Sequence, residues 1–108
     1  MKKFLVALLM VPSMASAEFL TGNDLYARMT HTDAWWRMYA LGYVVGVYDV
    51  GVHMFFCPGR ETNISAGQVR DIAEQFLANN PGLRDKSADS LIREALSRVW
   101  PCASRRGA

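Results

Sequence analysis

Apolar residues recur along this chain with helical spacing almost throughout, and capping and stop signals divide the pattern into four helices. The first begins after Thr21, a good N-cap. Asp24 three residues on makes a weak capping box, and Leu20 before the cap is placed to staple onto Leu25. Leu25 and Met29 share one face, and the helix is expected to end between Thr30 and Thr32. The second helix, capped by Thr32 or Asp33, is expected to run to about Met54. It is apolar nearly all round: Trp35, Trp36, Met38, Tyr39, Leu41, Tyr43, Val44, Val45, Val47, Tyr48, Val50 and Val52. A helix of that kind sits in the middle of a bundle or in a membrane. Arg37 and Asp49 leave only eleven uncharged residues between them, well short of the roughly 20 that a span needs. A buried central helix is therefore the reading. A β-hairpin competes with it, but no turn signal splits the run.

Gly42 and Gly46 lie one turn apart inside this helix, with Gly51 following. Each glycine costs about 1 kcal/mol relative to alanine in a helix, so the pair points to another helix crossing closely. Intrachain packing is the first expectation and a homodimer contact the second. Cys57-Pro58-Gly59 ends the segment. Ser65-Ala66-Gly67-Gln68 then forms a full capping box, followed by the stripe Val69, Ile72, Ala73, Phe76 and Leu77. Asn79-Asn80-Pro81-Gly82 stops the third helix. The fourth starts near Ser87 and presents Leu91, Ile92, Ala95, Leu96 and Val99 on one face. Asp89 in its first turn and Arg98 in its last suit the helix dipole, and Pro101 ends it.

The chain begins with Lys2-Lys3, an apolar run from Phe4 to Val11, a break at Pro12-Ser13 and the small-x-small site Ala15-Ser16-Ala17. This is the layout of a secretory signal peptide over residues 1–17, with cleavage expected after Ala17 and no lipobox cysteine. Residues 18–108 are then one small domain in the periplasm, with no membrane span once the signal is removed. Export also changes the charge. Of 12 basic and 10 acidic residues, two lysines leave with the signal, so the mature chain is close to neutral. Nucleic-acid binding needs an excess of Lys and Arg, which is missing. In an oxidising compartment Cys57 and Cys102, just beyond the ends of the second and fourth helices, are expected to form a disulfide. The fold class expected is all-α: a single-domain bundle of about four helices, with a long central helix and one disulfide.

Candidate chemistry is sparse. His53 falls one helical turn after Asp49, a spacing that can orient a general base, but no nucleophile or metal set accompanies it. The sequence lacks the H-E-x-x-H, G-x-S-x-G, phosphate-loop and zinc-thiolate patterns, and no catalytic residue, metal or cofactor is expected. Asp49 is expected to be a structural polar residue, a carboxylate within an apolar helix that must accept hydrogen bonds from a helix N-terminus or a tyrosine. Of Trp35 and Trp36, one is expected to face the core and the other to be surface or interface. Trp100 is expected to pack over the disulfide.

Thr21-Gly22-Asn23-Asp24-Leu25, Gly42-Tyr43-Val44-Val45-Gly46-Val47-Tyr48-Asp49, Phe56-Cys57-Pro58, Gln68, Asn80-Pro81 and Trp100-Pro101-Cys102 form an ordered set. In order and spacing it resembles the Rap/Tai immunity proteins of type VI secretion systems, over nearly the whole mature chain. The resemblance implies a periplasmic α-helical protein that binds a cell-wall amidase toxin and blocks its cleft sterically, without chemistry of its own. Characterised members include dimers, with loops that enter the toxin's groove. A further cysteine pair common in the family is absent, with Met29 and Ala40 standing roughly in its place. The partner-binding candidates are loop residues: Arg60, Glu61, Thr62 and Asn63 in one loop, Arg84, Asp85 and Lys86 in the next. Solvated connectors are the bland alternative for each. The competing reading of function is a general envelope protein, chaperone-like, with no amidase partner.

Overall fold

The computed structural model describes residues 19–60 and 63–103. The expected signal segment lies outside them. Four α-helices make up the domain: α1 (Gly22–Met29), α2 (Ala34–Gly51), α3 (Ala66–Asn79) and α4 (Ala88–Val99), with a 3₁₀ turn at Pro81–Leu83. Each of the four packs on the other three. The start signals act as expected. The Thr21 hydroxyl accepts from Asp24 N at 3.1 Å while the Asp24 carboxylate accepts from Thr21 N at 3.1 Å. Ser65 and Gln68 reciprocate in the same way at α3. Asp33 rather than Thr32 caps α2, accepting from Trp35 N at 3.0 Å.

The core is built from Leu25 and Met29 of α1, Ala40 and Val44 of α2, Val69, Ala73 and Leu77 of α3, and Leu91, Ile92 and Leu96 of α4. Phe56 plugs one end. Met29 and Ala40, the positions without the family's extra cysteines, are both core residues. Val99, expected on the core face of α4, is instead exposed, because the helix ends there and Trp100 turns back onto Tyr48.

The structure corrects the reading of α2 in two ways. First, the helix stops at Gly51, three residues short of Met54. Val52 is extended and His53 takes a left-handed φ of 69°. The N–H groups of Met54 and Phe55 then both reach back to Gly51 O. This reversal drives Phe56 into the core against Gly51, where an added Cβ would lie 3.0 Å from the Phe56 ring. Second, α2 is not buried all round. Only Ala40, Val44 and Gly51 are fully buried, and Gly42 and Gly46 face open space, with nothing within 4 Å of a Cβ added at either. The close helix crossing they suggested within the chain does not occur.

Two clasps close the bundle. At one end Gly22 N and Asn23 N, free amides of the first turn of α1, donate to Lys86 O and Arg84 O, each at 2.8 Å. Ala88 N donates to Leu20 O in return. Gly22 sits under this contact: a Cβ there would lie 2.5 Å from the Leu91 side chain and 3.0 Å from Arg84 Cα. At the other end Cys57 and Cys102 form the expected disulfide across a sequence separation of 45. Cys57 N also donates to Trp100 O at 2.8 Å.

Replacing both cysteines by alanine should lower the unfolding free energy by about 4 kcal/mol, the chain entropy released by opening a loop of that size. Denaturant titration measures it, and a change near zero would mean that the hydrogen-bonded end holds without the bond. Gly22→Ala should cost about 1–3 kcal/mol through overpacking against Leu91 and the Arg84 backbone, read as a drop in melting temperature.

Candidate partner-binding surfaces

The loop from Cys57 to Ser65 leaves the disulfide end of the bundle. It is anchored at one side by Cys57 and at the other by the Ser65 capping box. Arg60 and Asn63 are exposed on it, while Glu61 and Thr62 lie outside the described residues. Tyr48, His53, Pro58, Gly59, Arg60 and Ile64 line a depression where this loop meets the end of α2.

The second candidate loop sits at the opposite end of α3, a 14-residue helix that spans about 21 Å. The structure therefore does not bring the two loops into one compact site. Asp85 and Lys86 are exposed, but Arg84 is not the solvated loop residue expected. It is half-buried, its guanidinium lies 4.3 Å above the Tyr26 ring, and its carbonyl is committed to α1. Its role is to hold the clasp over Gly22.

Asp49 is also placed differently from expectation. It is exposed on α2 and, among the described residues, accepts no hydrogen bond, although it lies beside the first residues of α3. Solvent removes the need for an internal partner. The Asp49–His53 pair dissolves too, because α2 ends between them and His53 leaves the helix line. Among the described residues no group of three or more His, Cys, Asp or Glu side chains is arranged to hold a metal ion. Nor is any helix long and apolar enough to cross a membrane.

The outer face of α2 is exposed where the sequence reading placed a buried central helix. Trp35, Met38, Gly42, Gly46 and Asp49 follow one another at spacings of three and four and are all exposed, which puts them on one face. The available signal was this stripe taken together with its glycines. It was masked because the opposite face is equally apolar. Neither tryptophan enters the core. Trp35 is exposed and meets Trp36 edge-on at 4.8 Å, and Arg28 of α1 lies 4.8 Å from both the Trp36 and Tyr39 ring centres. Further along, Gly42, Gly46, Val50 and Phe55 open into a groove of about 470 Å³ floored by Tyr43 and Val47. Asp89 and Arg93 of α4, joined at 2.9 Å, form its polar rim. Burial, and then the Asp89 charge, raise the Tyr43 phenol above its ordinary value. Burial pushes Asp89 the other way from its partners, but hydrogen bonds from Ser87 and Arg93 outweigh it and hold the carboxyl below the usual range.

Asp49→Ala should leave the melting temperature of dilute protein essentially unchanged, within about 0.5 kcal/mol of stability, as for other surface positions. A marked loss would show that the carboxylate has an internal partner after all.

No curated protein matches the chain. The family model of the Rap1a immunity proteins, however, matches residues 21–102, from the N-cap of α1 to the second half of the disulfide. Spanning all four helices and both clasps, that match shows that the chain belongs to the Rap1a immunity protein family.

Proposed function

We propose that this chain is a periplasmic immunity protein that binds a peptidoglycan amidase delivered by a type VI secretion system and blocks its cleft without chemistry of its own. Family membership supports toxin neutralisation. The sequence pattern of residues 1–17 supports export to the compartment where an amidase acts. The observation that carries the steric reading is the 57–65 loop, fastened at both ends to a disulfide-closed bundle. Fixing both ends of a binding segment lowers the entropy that partner binding must overcome. Arg60 and Asn63 are its exposed donors and the leading contact residues, with Glu61 and Thr62 between them in sequence. Asp85 and Lys86, at the far end of α3, are secondary contacts reached only by a partner that extends along that helix.

The mature protein should co-purify with a cognate peptidoglycan amidase and suppress its muropeptide cleavage at one-to-one stoichiometry. Arg60→Ala combined with Asn63→Ala should weaken binding about tenfold or more, as for contacts near the centre of an interface, with the melting temperature unchanged. Full amidase activity under excess mature protein would reject this reading. Suppressed aggregation of unrelated proteins would then favour the envelope-chaperone alternative.

A further inference from the structure

We infer that the depression between the end of α2 and the 57–65 loop is a carboxylate site, in which Arg60 and His53 take up an acidic side chain of the partner protein. The inference rests on the toxin reading for the identity of that partner, and it adds to a contact loop the chemistry that the contact recognises.

The backbone supplies the first observation. Among the described residues His53 is the one non-glycine with a left-handed φ, 69°. That conformation is disfavoured for any residue carrying a Cβ, whereas glycine adopts it without steric cost. The reversal itself needs only the main chain: His53 N donates to Phe56 O at 2.7 Å, and Phe56 fills the end of the core. Glycine would serve that turn better than histidine, and the exposed His53 side chain is not required by the packing. Instead the left-handed position carries it off the line of α2 to the depression that Arg60 also lines. A strained position kept in this way is a reason to look for a role in binding.

The walls are fixed by the core and the disulfide. The Tyr48 ring packs on Phe56 and Trp100, with ring centres 5.4 Å and 6.5 Å away. Pro58 follows the disulfide-bonded Cys57, whose N–H donates to Trp100 O at 2.8 Å. Ile64 packs against the core from the other side. The space between them is about 450 Å³, within the range of sites that hold a small ligand and ample for one side chain of a partner.

Charge selects the occupant. Arg70, Arg93 and Arg98 each bond a carboxylate on their own helix. Among the described residues neither Arg60 nor His53 belongs to an ion pair, and no acidic residue lines their depression. Asp49 lines the adjoining one, beside the start of α3, and the two share Tyr48 and Ile64. The free groups are thus donors: the Arg60 guanidinium, a ring N–H of His53 and the Tyr48 hydroxyl. A guanidinium fork matches a planar carboxylate in two parallel bonds. Pro58, Ile64 and the Tyr48 ring offer apolar surface to the methylene groups that carry such a carboxylate in aspartate or glutamate.

Two measurements test the site. In the first, the exported, disulfide-bonded protein is titrated at low salt with N-acetylglutamate N-methylamide and followed by the NMR resonances of the His53 ring. Wild type should show a saturating shift at millimolar probe, the N-acetylglutamine analogue none, and the Arg60→Glu variant none with either. In the second, His53→Gly and Arg60→Glu should each weaken binding to the cognate amidase about tenfold. Reversing one Asp or Glu of the amidase to Lys should restore binding to Arg60→Glu. His53→Gly should melt at or above the wild-type temperature, since glycine relaxes the left-handed position, and this separates a binding role from a structural one. No shift at His53, an equal shift with the glutamine analogue, or a tighter response to inorganic phosphate than to the glutamate compound would overturn the inference. So would amidase binding indifferent to both variants, or a His53→Gly protein that melts below wild type. A saturating shift in a protein that leaves the amidase fully active would support the site and reject the toxin reading alone.

Discussion

An 18-residue apolar helix packed against helices of 8, 14 and 12 residues is covered on one side only, and this one-sided burial of α2 shapes the whole molecule. A domain this small has little interior to offer. Ala40 and Val44 occupy the centre of the core because small and β-branched side chains let α1, α3 and α4 approach there. Among the described residues no helix is left to cover the rest of the apolar surface of α2. The exposed aromatic cluster, the groove beside Gly46 and the solvated Asp49 all follow from that shortage.

The two ends of the bundle are closed by different physics. Beside Gly22 the free amides of a helix start are satisfied by carbonyls of the α3–α4 loop, a contact that tolerates no Cβ. At the far end a covalent link does the work, joining the segment after α2 to the segment after α4. The reversal at Val52 and His53 is what brings Cys57 within reach, and Phe56 seals the turn by filling the space that Gly51 leaves. The consequence for function is an asymmetry between the candidate loops. The 57–65 loop is fastened at its two ends, with Arg60 and Asn63 exposed, whereas the loop at Arg84 is drawn into the fold by its own backbone and by Tyr26.

Charged side chains follow the same division. Arg70 with Glu74, Arg93 with Asp89 and Arg98 with Glu94 are pairs within α3 or α4 at i,i+4 spacing, exposed enough to add only a few tenths of a kcal/mol each. Arg28 and Asp49 stand outside this pattern. Each is placed against or among apolar residues rather than beside an opposite charge, and charges in such positions matter more for which partner fits than for stability.

Much of the fold was legible in the chain because the signals for it are local. A hydroxyl three residues before a Gln, an Asn-Pro stop or a cysteine beyond a helix end acts over a few residues, and Ser65, Asn80-Pro81 and Cys57 behave as their neighbours dictate. The sequence alone determined four helices, the capping boxes at Thr21 and Ser65 and the sulfur link, but it left the cap of α2 open between Thr32 and Asp33. What it could not assign was direction. A helix apolar on every side carries no moment to say which face turns inward, so the exposure of Trp35 and Asp49, the open glycines and the early end at Gly51 were settled only when α1, α3 and α4 took their places. The distance between the two candidate loops was likewise set by the length of α3 and by the clasp over Gly22, neither of which either loop encodes.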